Sequence, residues 1–125
     1  MDDLVNFRKS LAQLKTFVSL PIKNDRHRFG IIQAFEFTFE QAWKAIQKRA
    51  GTQGVEIGNP KSAFMYAMKN QWLSTNEEQS WLQLLKDRNQ TSHTYEEILA
   101  KEVLERIQNV YVRLFEGLVD GMGKI

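Results

Sequence analysis

The sequence predicts an all-α protein, an up-and-down antiparallel bundle of four main helices with a short additional helix. Three observations predict it. Apolar residues recur at three- and four-residue spacing along nearly the whole chain, no stretch alternates as a strand does, and capping residues punctuate the pattern. With 125 residues the chain has the length of one ordinary domain, 1–125, and can bury a core without disulfides or metals.

The first helix is expected over about residues 3–19, where Leu4, Phe7, Leu11, Leu14 and then Phe17 or Val18 share a face before Pro21 stops the run. Asn24 or Asp25 then caps a longer helix whose stripe is Phe29, Ile32, Phe35, Phe39, Trp43 and Ile46, ended by Gly51. "GTQGVEIGNP" reads as a loop, after which Asn59 caps and Pro60 opens a short helix with Phe64, Met65, Met68 and Trp72 on one face. "STNEEQ" offers two overlapping capping boxes, Ser74 with Glu77 and Thr75 with Glu78. The helix behind them buries Trp81, Leu84 and Leu85 and ends between Asn89 and Ser92.

Thr94 with Glu97 repeats the capping signature and opens the last helix, with Ile98, Leu104, Ile107, Tyr111, Leu114 and Leu118 in heptad-like alternation. Gly117, Gly121 and Gly123 are expected to let its end fray. Val103 and Val110 widen its apolar stripe beyond the needs of one core, which points to a dimer face.

Composition narrows the chemistry. The absence of cysteine excludes disulfides, cysteine-ligated zinc, iron–sulfur clusters and a thiol nucleophile. A formal charge of +2 is too small for bulk electrostatic capture of nucleic acid, so any such partner must be gripped locally. No apolar run is long enough to span a bilayer, and "MDDLVNFRKSL" lacks the cationic start and apolar stretch of a secretory signal. A cytoplasmic protein is expected.

Two places break the helical pattern. Glu36, in "FEFTFE", lies between Ile32, Phe39 and Trp43 on the helical wheel, where a carboxylate requires a cationic or hydroxyl partner. It is expected to be largely buried beside such a partner, either as plain structure or as a residue supporting a site. Glu40 shares its face, but a carboxylate metal centre in a bundle would also need Glu-x-x-His motifs, which are lacking, so no metal is expected. No cofactor is expected either. His27, in "NDRHRF", reads as part of a solvated basic cluster.

The second place is "DRNQTSHTY", residues 87–95, which gathers Arg88, Asn89, His93 and Tyr95 where one helix ends and the next begins. An arginine holds a phosphate with a planar fork, and a histidine exchanges a proton near neutral pH. Together they suit phosphodiester cleavage without a metal. His93 would move the proton of a ribose 2′-hydroxyl or of the leaving oxygen, while Arg88 balances charge on the phosphoryl oxygens. One such pair lacks a second acid or base, which a symmetric dimer would supply. The plain alternative is that Arg88 and His93 only cap the helix end.

"RFGIIQAFEFTFEQAWKAI", "NPKSAF" and "WLQLLKDRNQTSHTYEE" together resemble the nucleotidyltransferase substrate-binding family, a HepT-like branch of the HEPN superfamily, over roughly residues 4–115. "RNQTSHTY" is similar to the HepT-like motif of arginine, four residues, histidine, one residue, tyrosine, including the polar residue directly after the arginine. The resemblance implies a helical bundle that dimerises with the motif turns facing one cleft, and a separate minimal nucleotidyltransferase encoded nearby. It implies Arg88 and His93 as a ribonuclease pair acting on RNA, Asn89 as polar helper, and Tyr95 as the hydroxyl that the nucleotidyltransferase AMPylates, as in toxin–antitoxin pairs. Adenylate two residues from His93 would place bulk and negative charge where an RNA phosphate must sit. Lys61 stands where the family pattern carries an arginine. The alternative function is a non-catalytic subunit that binds substrate for a two-component nucleotidyltransferase.

Overall fold

The computed structural model describes residues 3–91 and 97–123, and of 97–100 the helical backbone only. His93, Tyr95, the Thr94–Glu97 capping box and the Ile98 side chain lie outside the described residues. What is described is a helical bundle of α1 (Val5–Ser19), α2 (Asp25–Thr52), α3 (Pro60–Lys69), α4 (Glu78–Gln90), α5 (Glu97–Arg106) and α6 (Val112–Gly123). A single turn of 3₁₀ helix, Thr75–Glu77, precedes α4, and a π turn, Ile107–Tyr111, joins α5 to α6. No helix among the described residues is long and apolar enough to cross a membrane.

The caps explain where the helices begin. Asn24 accepts the backbone N–H of His27 at 2.9 Å, and Asn59 accepts that of Ser62 at 2.9 Å with Pro60 behind it. Ser74 caps the 3₁₀ turn by accepting from Asn76 N–H, not from Glu77. The two expected capping boxes therefore do not form, because the chain tightens into 3₁₀ winding before α4 starts at Glu78.

α1 packs along α2, α6 closes over α1, and α3 packs on α2 and meets α4. Their contact faces meet in one hydrophobic cluster. Its centre is aromatic: Phe35 stacks on Tyr111 with ring centroids 5.5 Å apart, Phe7 meets Phe115 edge-on at 6.0 Å, and Phe64 packs against Trp81 at 4.7 Å. Edge-on and offset pairs of this kind add to the burial they accompany.

Four expectations about packing are corrected. Phe29 and Met65, placed on buried stripes by spacing, are 57% and 62% exposed. Both helices carry apolar residues around more than one side, so the period does not say which side faces inward. The end of α6 does not fray at its glycines. A Cβ on Gly121 would come within 2.1 Å of the Trp72 carbonyl oxygen, so this glycine lets α6 lie directly against the backbone after α3. Val103 is fully buried within the chain itself and Val110 packs half-buried on the same cluster, so the wide stripe serves the core and not a dimer face.

The chain ends are tied by Arg49. Its guanidinium makes a two-pronged contact with Asp3, 2.8 and 2.7 Å, donates to the Met122 carbonyl oxygen, and lies 5.4 Å from the Trp72 ring centroid. One side chain thus links the start of the chain, the end of α2 and the end of α6.

Candidate functional site

The last turn of α4 is held in place by its neighbours on two sides. Successive residues of a helix point about 100° apart, so Asp87 and Arg88 engage different parts of the bundle. Asp87, 1% exposed, accepts from Arg106 Nε at 2.6 Å and Arg106 Nη2 at 2.9 Å, from the Tyr111 hydroxyl, and from Gln83 Nε2 at 3.0 Å. The π turn makes this arrangement accessible. Residues five apart in an α-helix are about 140° apart around its axis, whereas the wider winding of Ile107–Tyr111 brings Arg106 and Tyr111 round to one carboxylate.

The electrostatics of this network follow from burial. Asp87 buried alone would cost several kilocalories per mole, so its oxygens are filled with donors. The hydrogen bonds it donates to Asp87 hold the Arg106 guanidinium protonated well above its ordinary range. Burial, followed by the hydrogen bond to Asp87, pushes the Tyr111 phenol well above its ordinary range. Both groups therefore keep their protons at any physiological pH.

Arg88 faces the other way, toward α2. Its Nη1 lies 3.2 Å from Glu36 Oε2 and donates to Thr91 Oγ1 at 3.3 Å, while Nη2 lies 3.9 Å from Glu40 Oε1. The guanidinium also sits 5.8 Å from the Phe39 ring centroid, and its buried Nε has no hydrogen-bond partner among the described residues. Thr91 Oγ1 is 2.6 Å from Glu36 Oε2 and 2.8 Å from the Arg88 carbonyl oxygen. Its one proton serves the charged acceptor at the shorter distance.

The expectation for Glu36 is met in kind and corrected in degree. It has both a cation and a hydroxyl as partners, but its side chain is 30% exposed, so it is half-buried. The capping alternative does not describe Arg88, whose guanidinium reaches α2, while the Thr91 hydroxyl sits against the helix-end carbonyl. Glu40, besides facing Arg88, accepts from Trp43 Nε1 at 3.0 Å. Both carboxylates are thus committed to donors already present. His27 is corrected as well: it is not a solvated cluster residue, because its half-buried ring donates from Nε2 to the Phe17 carbonyl oxygen at 3.1 Å, fastening the start of α2 to α1.

A half-buried guanidinium fixed through Nη1 between a carboxylate and a hydroxyl, with Nη2 3.9 Å from the Glu40 carboxylate, can turn Nη2 to a second anion. It loses little side-chain entropy on doing so, and the ring of Phe39 excludes water from one face.

A family model described as nucleotidyltransferase substrate binding protein like matches residues 2–124. The chain belongs to this family. It is also similar to a Thermus thermophilus protein of known crystal structure, 35% identical over 91% of this chain and 96% of that one, with a TM-score of 0.82. No curated protein matches. The family description implies a nucleotidyltransferase as partner.

In this nucleotidyltransferase substrate binding-like chain the motif positions divide. Arg88 and Asn89 belong to α4, Asn89 being exposed, while His93 and Tyr95 lie outside the described residues. The structure brings Arg88, Glu36, Glu40 and Thr91 together and adds Asp87, Arg106 and Tyr111 behind them. Sequence reasoning missed the last three. The one available signal was an acid directly before the motif arginine, which on its own reads as a solvated helix-end charge.

Proposed function

We propose that this protein is the helical partner of a minimal nucleotidyltransferase and, while unmodified, a metal-independent endoribonuclease of the HepT-like kind. The observation that carries the reading is the setting of Arg88. The motif arginine is not a loose surface cation but is held through Nη1 by Glu36 and Thr91, while Nη2 stands 3.9 Å from Glu40 and can turn its N–H groups to an anion.

In this reading the arginine fork grips a phosphodiester of RNA, and His93 takes the proton from the adjacent ribose 2′-hydroxyl as its oxygen attacks phosphorus. The P–O bond to the next nucleotide breaks. His93 of a second copy protonates that leaving 5′-oxygen, and a 2′,3′-cyclic phosphate remains. Asn89 assists as a polar contact. AMP transferred to the Tyr95 hydroxyl by the nucleotidyltransferase, with release of pyrophosphate, fills the cleft with negative charge and stops the reaction.

A second reading is favoured by the same cluster. Two carboxylates already neutralise Arg88, which suits a subunit that binds and presents a substrate to the nucleotidyltransferase without cleaving it. Intact-mass measurement after incubation with the nucleotidyltransferase and ATP separates the two. A gain of one or more adenylates that vanishes in Tyr95→Phe supports the modified toxin; no gain with a demonstrably active transferase supports the binding subunit.

A further inference from the structure

Between α3 and α4 runs an open groove of about 420 Å³, walled by Phe64, Met65 and Met68 of α3 and by Trp81, Leu82 and Leu85 of α4. Phe64 and Trp81 are buried in its floor, while Met65 and Leu82 stand 62% and 43% exposed at its edges. Exposed apolar side chains gathered around a trough mark a surface that another molecule covers.

The form of the groove says what kind of molecule. On one wall Lys61, Met65, Met68 and Lys69 follow at i, i+4, i+7 and i+8, and on the other Glu78, Trp81, Leu82 and Leu85 follow at i, i+3, i+4 and i+7. Two helical ridges with an apolar trough between them receive the apolar face of a third helix, and methionine side chains bend to fit it. α3 is 10 residues long, so the trough holds roughly three turns. Lys61, Lys69 and Glu78 are exposed on its rim, and neither lysine has an ion-pair partner among the described residues. Two cations against one anion favour an acidic helix over a basic one. The lysines stand about 12 Å apart along α3, the spacing of acids seven or eight residues apart on a helix.

The α4 wall also says where the rest of that molecule lies. Leu82, Leu85 and Asn89 continue at i, i+3 and i+7 along one side of α4, and Asn89 directly follows Arg88. α4 ends at Gln90, five positions before Tyr95 in sequence. A nucleotidyltransferase that modifies Tyr95 has to approach this end of the helix.

We infer that the α3–α4 groove is the docking site of the nucleotidyltransferase and receives an amphipathic helix of that protein. Its apolar face lies on Met65, Met68, Leu82 and Leu85, and acidic residues flanking that face pair with Lys61 and Lys69. The inference rests on the partnership proposed above and deepens it by naming the contact surface. Docking and chemistry are thereby separated: the transferase is held along α3 and α4 and transfers AMP beyond the end of α4.

The test is calorimetric titration of this chain with the purified nucleotidyltransferase at low and high salt, with circular dichroism confirming that each variant remains helical. Leu82→Glu, which sets a carboxylate at the edge of the groove, is expected to weaken binding at least tenfold. Lys61→Glu and Lys69→Glu should each weaken it about tenfold at low salt and much less at high salt. Lys23→Glu, the same exchange at an exposed site outside the groove, should leave it unchanged. Hydrogen exchange on the native complex should show new protection in α3 and α4. Native affinity in Leu82→Glu, or protection confined to other helices, would overturn the inference, and a loss in Leu82→Glu with none in either lysine exchange would overturn the acidic character of the occupant. A fall in the mass of this chain alone, seen by sedimentation equilibrium of Leu82→Glu, would place a second copy in the groove and also overturn it. Adenylation of Tyr95 that proceeds undiminished in all three groove variants removes the inference and leaves the partnership standing. No binding and no adenylation of the native chain removes both.

Discussion

Glu36 Oε2 stands 3.2 Å from Arg88 Nη1 and 2.6 Å from Thr91 Oγ1, so one carboxylate oxygen on α2 orients the motif arginine at the end of α4. In the proposed ribonuclease this relationship makes Glu36 a positioning residue. Glu36→Gln keeps the shape and the hydroxyl contact but removes the charge that opposes the guanidinium. RNA cleavage by this variant should fall by roughly tenfold, through loss of aim, against roughly a hundredfold or more for Arg88→Ala, which removes the charge stabilisation itself. Arg88→Lys should behave like Arg88→Ala, since an ammonium cannot present the fork. Equal losses for Glu36→Gln and Arg88→Ala in single-turnover cleavage would refute the distinction.

Behind the site, Asp87 is the anchor. Asp87→Ala leaves the Tyr111 hydroxyl buried without its acceptor and Arg106 without its counter-charge, and should lower stability by about 2–4 kcal/mol. Urea unfolding followed by tryptophan fluorescence measures it. A loss of a few tenths of a kilocalorie would show that the network is an accessory of the fold and not its clamp.

Tyr111 gives the network a pH signature. Its folded-state pKa is raised above that of the unfolded chain, so the neutral phenol is the form that folding favours. Stability from this group is therefore complete below about pH 10 and is lost as pH rises beyond the ordinary tyrosine range. Unfolding midpoints taken between pH 8 and pH 11 should fall at the alkaline end. Tyr111→Phe should be less stable at pH 8 yet show a shallower alkaline decline. Parallel declines for the two proteins would exclude Tyr111 as the group responsible.

Gly121→Ala should be costly for a single methyl group. The new Cβ would meet the Trp72 carbonyl oxygen at 2.1 Å, and that oxygen is backbone, so relief requires α6 to move. A loss of about 1–3 kcal/mol is expected, together with weakened contact between the ends of α2 and α6 through Arg49. An unchanged melting temperature would show that α6 shifts freely.

Much of this architecture is legible in the sequence, and the reasons are local. Asn24, Asn59 and Pro60 announce helix starts because each satisfies or removes N–H groups of its own first turn, and the structure places the starts there. The buried stripe of α2 from Ile32 to Ile46 is likewise a one-helix property. What is not legible depends on partners far along the chain. Phe29 looks as apolar as Phe35, and only the position of the other helices leaves one outside and the other inside. Gly121 looks like a weak helix end until Trp72 is placed against it. Asp87 looks solvated until a π turn, which has no period of its own to read, delivers Arg106 and Tyr111 to it. For the site, the arginine and its motif are visible at once, and Glu36 is conspicuous as a charge on an apolar face. That they belong to one cluster is a tertiary fact.

The central claim is that Arg88 and His93 cleave RNA without a metal until Tyr95 is modified. The most direct measurement incubates the purified, unmodified protein with a labelled single-stranded RNA in excess EDTA and identifies the product ends, beside His93→Ala and Arg88→Lys. The account predicts fragments ending in 2′,3′-cyclic phosphate from the native protein and a loss of at least a hundredfold in both variants. Cleavage that persists in both variants, or none from an unmodified and folded native protein, would contradict it.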